Sequence, residues 1–482
     1  MNKEKETFIK HICKELQDEN VAIFAGAGMS AGAGFVSWSE LLRPIADELE
    51  LDIDKEHDLV ALAQYHCNAN GNNRSQLNQR LIEEFSRDAV ETETHRILAR
   101  LPISIYWTTN YDKLIENSLI KAGKIPDVKY TKEQLAITKL KRDAIVYKMH
   151  GDIDHANDAV LTKDDYEKYY IKMEQFLSAL KGDLISKTFI FIGFSFTDPN
   201  LDYILSRVRV AYEGNQRRHY CFIRATQKGP NESEAEYQYN CRKQELFISD
   251  LSRFNVKTII IKDYDEIKKL LGLIEFNYKK KTLFISGAAH EYEPWGESES
   301  QKFVAKLSAA LINKNYKIVS GFGLGIGSSV ICGALEEIYM KQNNRIDDRL
   351  LLRPFPQHSS TQSLSALWTQ YRDDMISHAG FSIFLFGNKQ SNDEIVLSNG
   401  MREEYEISKN KKNIILPIGA TGYMARELWE EEIKRLHSLP NKDDEFCKLF
   451  TLLGVQDKSL DEILDNIINI IDYSVKKGDL HG

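Results

Sequence analysis

Two short segments place polar side chains directly beside apolar runs. Thr108-Thr109-Asn110-Tyr111-Asp112 follows the run 103–108, and Lys148-Met149-His150-Gly151-Asp152 closes the run 144–149. If both runs are parallel strands, their carboxyl ends line the crevice where open α/β sheets bind ligands. Asn110, Asp112 and His150 are then candidates for chemistry. A histidine, with an ordinary pKa of about 6.5, moves protons near neutral pH, and an amide orients a hydroxyl or a water without adding charge. Structural readings stand beside these. Asn110 can cap the next helix, and His150 can be a hydrogen-bonded turn residue before a glycine.

Ahead of both lies Ala25-Gly26-Ala27-Gly28-Met29-Ser30-Ala31-Gly32-Ala33-Gly34, after the apolar run 21–25. Gly26, Gly28 and Ala31 match the G-x-G-x-x-G/A spacing. Small residues there let backbone amides approach a pyrophosphate, and a following helix turns its positive end toward it. A tight strand-to-helix turn has the same pattern. The ribose-binding acid of a dehydrogenase has no counterpart, because Asp47 and Glu48 fall in an expected helix. A second glycine run, Gly321-Phe322-Gly323-Leu324-Gly325-Ile326-Gly327-Ser328, leaves the backbone almost bare, which suits phosphate cradling. Ser286-Gly287-Ala288-Ala289 closes the run 282–286 and reads as part of that cradle or as a plain turn.

The elements that position these residues follow from periodicity. A helix is expected over 3–19, a strand over 21–25 and a mostly helical stretch over 38–101. Strands follow at 103–108, 144–149, 188–193, 219–223 and 256–261, the last leading into a helix at 264–271. After the basic stretch Tyr278-Lys279-Lys280-Lys281 the alternation restarts. Strands are expected at 282–286, 317–320, 349–355, 381–386 and 413–417, helices at 299–311, 328–340 and 402–409, and a helical tail from 425. The fold class is α/β, with two Rossmann-like doubly wound domains carrying parallel sheets, over 1–277 and 278–482.

Composition narrows the function. The 63 basic residues against 71 acidic ones give a net charge of −8, so bulk charge does not attract nucleic acid and an anionic ligand needs a local pocket. The amino terminus lacks the apolar core of a signal peptide, and no run reaches the roughly 18 to 20 apolar residues of a membrane span. The six cysteines include no C-x-x-C pair. No zinc site of ordinary spacing is therefore expected, and reduced thiols in a cytoplasm are.

Over roughly residues 10–275 the order Gly-Ala-Gly-Met-Ser, Thr-x-Asn-x-Asp and His-Gly resembles the Sir2 family of NAD-consuming enzymes. Gly193-Phe194-Ser195 resembles that family's segment near the adenosine ribose. The resemblance implies Asn110 and His150 as the catalytic pair. It also implies NAD+ held by Ala25, Gly26, Ala27, Gly28, Ser30, Thr109, Asp112, Gly193 and Ser195. The chain departs from Sir2 deacylases in lacking a four-cysteine zinc module. Gly34-Phe35-Val36-Ser37-Trp38 also replaces their Gly-x-Pro-Asp-Phe-Arg. Water rather than acyl-lysine is then the expected acceptor, with no metal.

The second half resembles the SLOG superfamily, which includes cytokinin-activating phosphoribohydrolases. Their Pro-Gly-Gly-x-Gly-Thr-x-x-Glu motif is replaced by Ser398-Asn399-Gly400-Met401-Arg402-Glu403-Glu404-Tyr405. A degraded catalytic motif beside an intact glycine cradle favours binding over turnover. The expected effector contacts are Gly287, Ala288, Gly323, Leu324, Gly325, Arg372, Lys389, Gly400 and Glu403. Lys389 reads equally as a solvated surface charge, and Glu403 as a first-turn helix acid. Sir2 followed by SLOG resembles the effectors of the bacterial Thoeris anti-phage system. That resemblance implies a cyclic ADP-ribose isomer made by a TIR-domain partner, a homotetramer, and NAD+ depletion on infection. The competing readings are a Sir2 deacylase or ADP-ribosyltransferase, a non-catalytic nucleotide-binding module, and a phosphoribohydrolase in the second domain.

Overall fold

A computed structural model describes residues 2–477 apart from 197, 213–214, 341–345, 357, 359–362 and 441. The chain forms two compact units, Met1–Glu275 and Phe276–Gly482.

The first unit is built on seven strands: β1 (Val21–Ala25), β2 (Ile105–Thr108), β3 (Pro126–Lys129), β4 (Ala144–Lys148), β5 (Thr188–Ile192), β6 (His219–Arg224) and β7 (Val256–Ile261). They lie in the order β3-β4-β2-β1-β5-β6-β7, and all neighbours are parallel. Every residue of β1 and β5 is buried, which is why both read as unbroken apolar runs. The chain leaves β1 toward β2 on one side and reaches β5 on the other, so the loops after β1 and β5 diverge at a topological switch point.

Register then does the positioning. Ala25 pairs with Thr108 and with Ile192, and Thr108 pairs with Lys148. Asn110 and His150, each two residues beyond that pair, leave neighbouring strands at the same level. Gly26, Thr109 and Gly193 begin the loops at that level too. One core cluster joins Phe24, Trp107, Phe176, Phe189 and Phe191 against the sheet. Another packs Leu41, Leu42, Ile45, Leu62 and Leu81 onto Tyr111 and Ile153, the loops that carry Asn110 and His150.

The second unit has strands β8 (Thr282–Ala288), β9 (Lys317–Ser320), β10 (Leu350–Leu352), β11 (Phe381–Phe386), β12 (Asn388–Ser391), β13 (Glu394–Leu397) and β14 (Ile414–Pro417). Five form a parallel sheet in the order β10-β9-β8-β11-β14, while β12 and β13 make an antiparallel hairpin.

One expected strand is shorter than expected, and two further elements have no counterpart among the expected ones. The edge strand β3 was unread because its sequence, PDVK, has no apolar run and opens on proline, as edge strands tolerate. The hairpin was unread too, although Asn392 and Asp393, both at positive φ, supply the turn such a hairpin wants. The expected strand 349–355 shrinks to Leu350–Leu352. Among the described residues no helix is long and apolar enough to cross a membrane.

Gly193 sits at φ +64, and a Cβ there would lie 2.1 Å from the Met29 nitrogen. Gly193→Ala combines left-handed strain with overpacking and is expected to cost roughly 3 kcal/mol. Urea unfolding of variant and parent checks it; equal midpoints would show that the loop is not held against Gly193.

Candidate active site

The first glycine loop is shaped by its neighbour. Gly26 N–H donates to Ile192 O at 2.9 Å, and Gly28 N–H donates to Gly193 O at 3.0 Å. A Cβ on Gly26 would stand 2.4 Å from Gly193 O, and one on Gly28 would stand 2.9 Å from Gly193 Cα. These glycines are therefore required by the approach of the β1 and β5 loops, and their amides are already engaged rather than open to a pyrophosphate. The helix that follows is a single turn, Ala27–Ser30, then a 3-10 turn closed by Gly34 at φ 92. Its dipole is correspondingly short. Ala25 stays inside the sheet, where its carbonyl accepts from Thr108 Oγ1 and from Thr109 N–H, and it does not reach the cavity.

A cavity of about 920 Å³ opens at these strand ends, within the range of roughly 300–1,000 Å³ that small-molecule sites occupy. Gly26, Ala27, Gly28, Ser30, Thr109, Asn110, Asp112, His150, Gly193 and Ser195 all line it. Trp38, Phe85, Tyr166, Tyr170 and Phe194 supply an aromatic wall.

Asn110 is held by its amide. Nδ2 donates to Gly26 O at 3.1 Å and to Ser30 Oγ at 3.0 Å. A backbone carbonyl only accepts, so the nitrogen must face it and the flip is fixed. Oδ1 is left buried and without a partner among the described residues. Ser30 Oγ in turn donates to Asp112 Oδ2 at 2.7 Å. Asn110 does not cap the next helix, Leu114–Lys121, whose N-cap position is Lys113; Asp112, just before it, accepts Leu114 N–H on Oδ1 at 2.9 Å.

His150 is 4% exposed, and its ring reaches away from its own turn. Nε2 lies 2.9 Å from Asp198 Oδ2, and Tyr166 Oη lies 3.4 Å from Nε2 and donates to Asp198 Oδ2 at 3.2 Å. Burial, with Asp198 close by, pushes the Tyr166 phenol well up, so it stays a neutral donor. Beneath these groups Lys148 is fully buried. Its Nζ donates to Tyr111 O at 3.0 Å, Asp112 O at 2.6 Å and Asp152 Oδ2 at 2.6 Å, with Glu116 Oε1 at 3.2 Å. Burial alone would lower its pKa, but Glu116 and Asp152 outweigh that and keep it protonated.

Sequence reasoning missed Lys148, Tyr166, Asp198 and Asn200. Asp198-Pro199 before a helix carries a capping signal, but Lys148 and Tyr166 carry none. Asn200 is fully buried at the cavity wall, with both amide atoms unpaired among the described residues. Among the described residues no group of three or more His, Cys, Asp or Glu could hold a metal.

In the second unit the glycine run packs tightly on the end of β8. A Cβ on Gly323 would meet Gly287 O at 1.9 Å, and one on Gly325 would meet Ala289 O at 2.0 Å. Leu324 O accepts Ala289 N–H, and the Leu324 side chain is exposed. Ala288 ends β8 opposite Phe386. Arg372 is not an open cation. Its Nη1 donates to Glu403 Oε2 at 2.6 Å, Nε lies 3.5 Å from Glu404 Oε1, and the guanidinium stacks over Phe355. Gly400 packs beside it, since a Cβ there would be 2.7 Å from Nη2. Glu404 is buried, which pushes its carboxyl up, and Ser286 Oγ donates to it at 2.6 Å. Glu403 lies beyond the first turn of Asn399–Asn410 and serves Arg372 and Thr369 rather than the helix end. Lys389 sits apart on β12, exposed and with no ion pair among the described residues.

Comparison with known proteins places this geometry in a lineage. Residues 104–244 match the SIR2-like domain family, and residues 266–474 match the Sir2- and TIR-associating SLOG family. The chain is 54% identical to NAD(+) hydrolase ThsA of Bacillus cereus (strain MSX-D12) over 98% of this chain and 99% of that one. It is 46% identical to the protein of the same name from Cytobacillus dafuensis, over 98% and 97%, and 45% identical to that from Acinetobacter baumannii (strain 532279), over 97% and 98%. Identity at this level along the whole length, with both domains in the same order, means that the chain belongs to the ThsA family of NAD(+) hydrolases.

Proposed function

We propose that the first unit hydrolyses NAD+ to nicotinamide and ADP-ribose, and that a cyclic ADP-ribose isomer bound to the second unit switches this activity on. The observation that carries the chemistry is Asn110. Both its amide hydrogens are engaged, so Oδ1 is a buried, unpaired acceptor on the wall of the cavity that His150 also lines. Such an acceptor costs on the order of 1–3 kcal/mol, which a ribose hydroxyl or a water would offset.

Breaking the bond between ribose C1′ and nicotinamide needs no strong acid, because the pyridinium nitrogen keeps the electron pair and leaves neutral. The difficulty is the oxocarbenium-like ribose that remains. Asn110 orients the hydroxyl or water that meets it, and His150 takes the proton that the water gives up. Trp38, Tyr166 and Tyr170 help exclude bulk water from the site.

The gate is supported by the glycine run and the Arg372 cluster at the strand ends of the second unit, and by its match to a TIR-associating family. An anion reaching Arg372 competes with Glu403 and Glu404, so binding rearranges that cluster. In this reading a TIR-domain partner makes the isomer during phage infection. The chain, assembled as a tetramer, then depletes cytoplasmic NAD+. To move a population from 1:99 to 99:1, the isomer must bind the active arrangement about 5.5 kcal/mol more tightly than the idle one.

Asn110→Ala is expected to lower nicotinamide release at least about 100-fold in protein that still folds, with a stability loss of about 1–3 kcal/mol from the two buried hydrogen bonds removed. Release at the parental rate would sink the catalytic assignment. Arg372→Ala is expected to raise the half-activating concentration of the isomer about tenfold or more while leaving NAD+ chemistry intact. Titration of nicotinamide release against the isomer measures this, and an unchanged midpoint would remove Arg372 from the sensor.

A further inference from the structure

The reading above leaves one acid at the cavity without a task. Asp198 is 8% exposed and opens the helix Pro199–Tyr212. Its Oδ1 accepts Leu201 N–H at 3.0 Å, which is a helix cap. Its Oδ2 does something a cap does not require: it faces His150 Nε2 at 2.9 Å and accepts the Tyr166 hydroxyl. Burial alone would raise this carboxyl. His150 beside it, the Leu201 N–H and the Tyr166 hydroxyl together outweigh burial and hold it below the usual carboxylate range.

A carboxylate accepts and does not donate, so the ring nitrogen facing it carries the proton. Among the described residues no hydrogen bond reaches His150 Nδ1. We infer that Asp198 is the positioning residue for His150: it holds the imidazole as the Nε2–H tautomer and leaves the Nδ1 lone pair for the substrate. This rests on the reading of His150 as the proton acceptor.

The step balances. A water O–H bond breaks, its oxygen bonds C1′, and the C1′–N electron pair leaves with nicotinamide. The water proton goes to Nδ1, and the resulting imidazolium is stabilised by the Asp198 anion until it returns the proton to solvent. Tyr166 fixes the carboxylate from the other side. Tyr111 approaches the imidazole with ring centroids 6.4 Å apart, and Asp112, Lys163 and Glu167 stand elsewhere on the cavity wall.

The capping and positioning roles can be separated, because Asn and Ser cap helices about as well as Asp. Asp198→Asn and Asp198→Ser in the full-length chain therefore test the carboxylate. Nicotinamide release is measured at varied NAD+, with the cyclic ADP-ribose isomer that gives the largest parental rate. In parallel, the ring nitrogens of 15N-histidine-labelled protein are observed by NMR, with the His150 signal identified by its loss in His150→Gln.

Both variants are expected to lower kcat about 10- to 100-fold while KM stays within about threefold, and to turn a single Nε2–H tautomer into a mixture. An unchanged kcat overturns the inference. So does a lowered kcat with an unchanged His150 tautomer, which would mean that the carboxylate acts otherwise than through the imidazole. If His150→Gln itself still releases nicotinamide, the reading of His150 falls and this inference falls with it. A dead His150→Gln beside fully active Asp198 variants overturns the inference only.

Discussion

A single buried ammonium organises the catalytic end of the first unit. Lys148 reaches the carbonyls of the Asn110 loop and the carboxylate two residues beyond His150. Strand register brings the two loops to one level, but it does not fix the path of a chain once it leaves the sheet. The ammonium supplies that constraint, pulling both loops onto one point charge. Removing one partner of such a buried charge costs about 3–5 kcal/mol, so the geometry of Asn110 and His150 is bound up with stability itself. Around it a second layer of polar bonds repeats the pattern. Ser30 joins the first loop to Asn110 and Asp112, and Asp198 joins the β5 loop to His150.

The glycine loops show how one sequence pattern serves more than one physical need. Gly26 and Gly28, with Ala31, match a phosphate-binding spacing, yet both glycines are demanded by the close backbone packing of their loop on Gly193. The same holds in the second unit, where Gly323 and Gly325 press on the end of β8. Both units carry a doubly wound parallel sheet whose first strand lies inside it. In each, the loop after that strand meets a glycine-bearing loop of a neighbouring strand. What differs is the polar content at the strand ends. The first unit gathers an amide, an imidazole and a carboxylate at one cavity, and the second gathers a guanidinium and two carboxylates.

Most of the fold was legible because buried parallel strands write themselves as apolar runs. The runs at β1, β5 and β11 illustrate this. Strands β3 and β12 failed that test for physical reasons: β3 buries the paired charges of Asp127 and Lys129 in place of apolar side chains, and β12 belongs to an exposed hairpin. The candidate site was half legible. Asn110 and His150 could be read from their place after strands, and the glycines from their spacing. Lys148 could not, since a lysine ending a strand usually lies in water and only the folded partners reveal its burial. Tyr166 was hidden for a similar reason, on a helix whose sequence, KDDYEKYYIK, reads as a solvated face. Arg372 was found by type, but its pairing with Glu403 and Glu404 carries no signal in the sequence.

The amides of Gly26 and Gly28 have a consequence for how the pocket is filled. Because they bond to the end of β5 and to the loop after it, the part of the cavity wall that these two loops form is tied together by the protein itself. A dinucleotide entering such a site does not have to freeze a disordered loop, so little of its affinity is lost to ordering protein. Preorganisation of this kind gives an always-shaped receptacle, which would consume its substrate continuously if nothing else restrained it. Control of such a site has to act on access or on the alignment of a few polar atoms, since folding of the receptacle is not available as a switch.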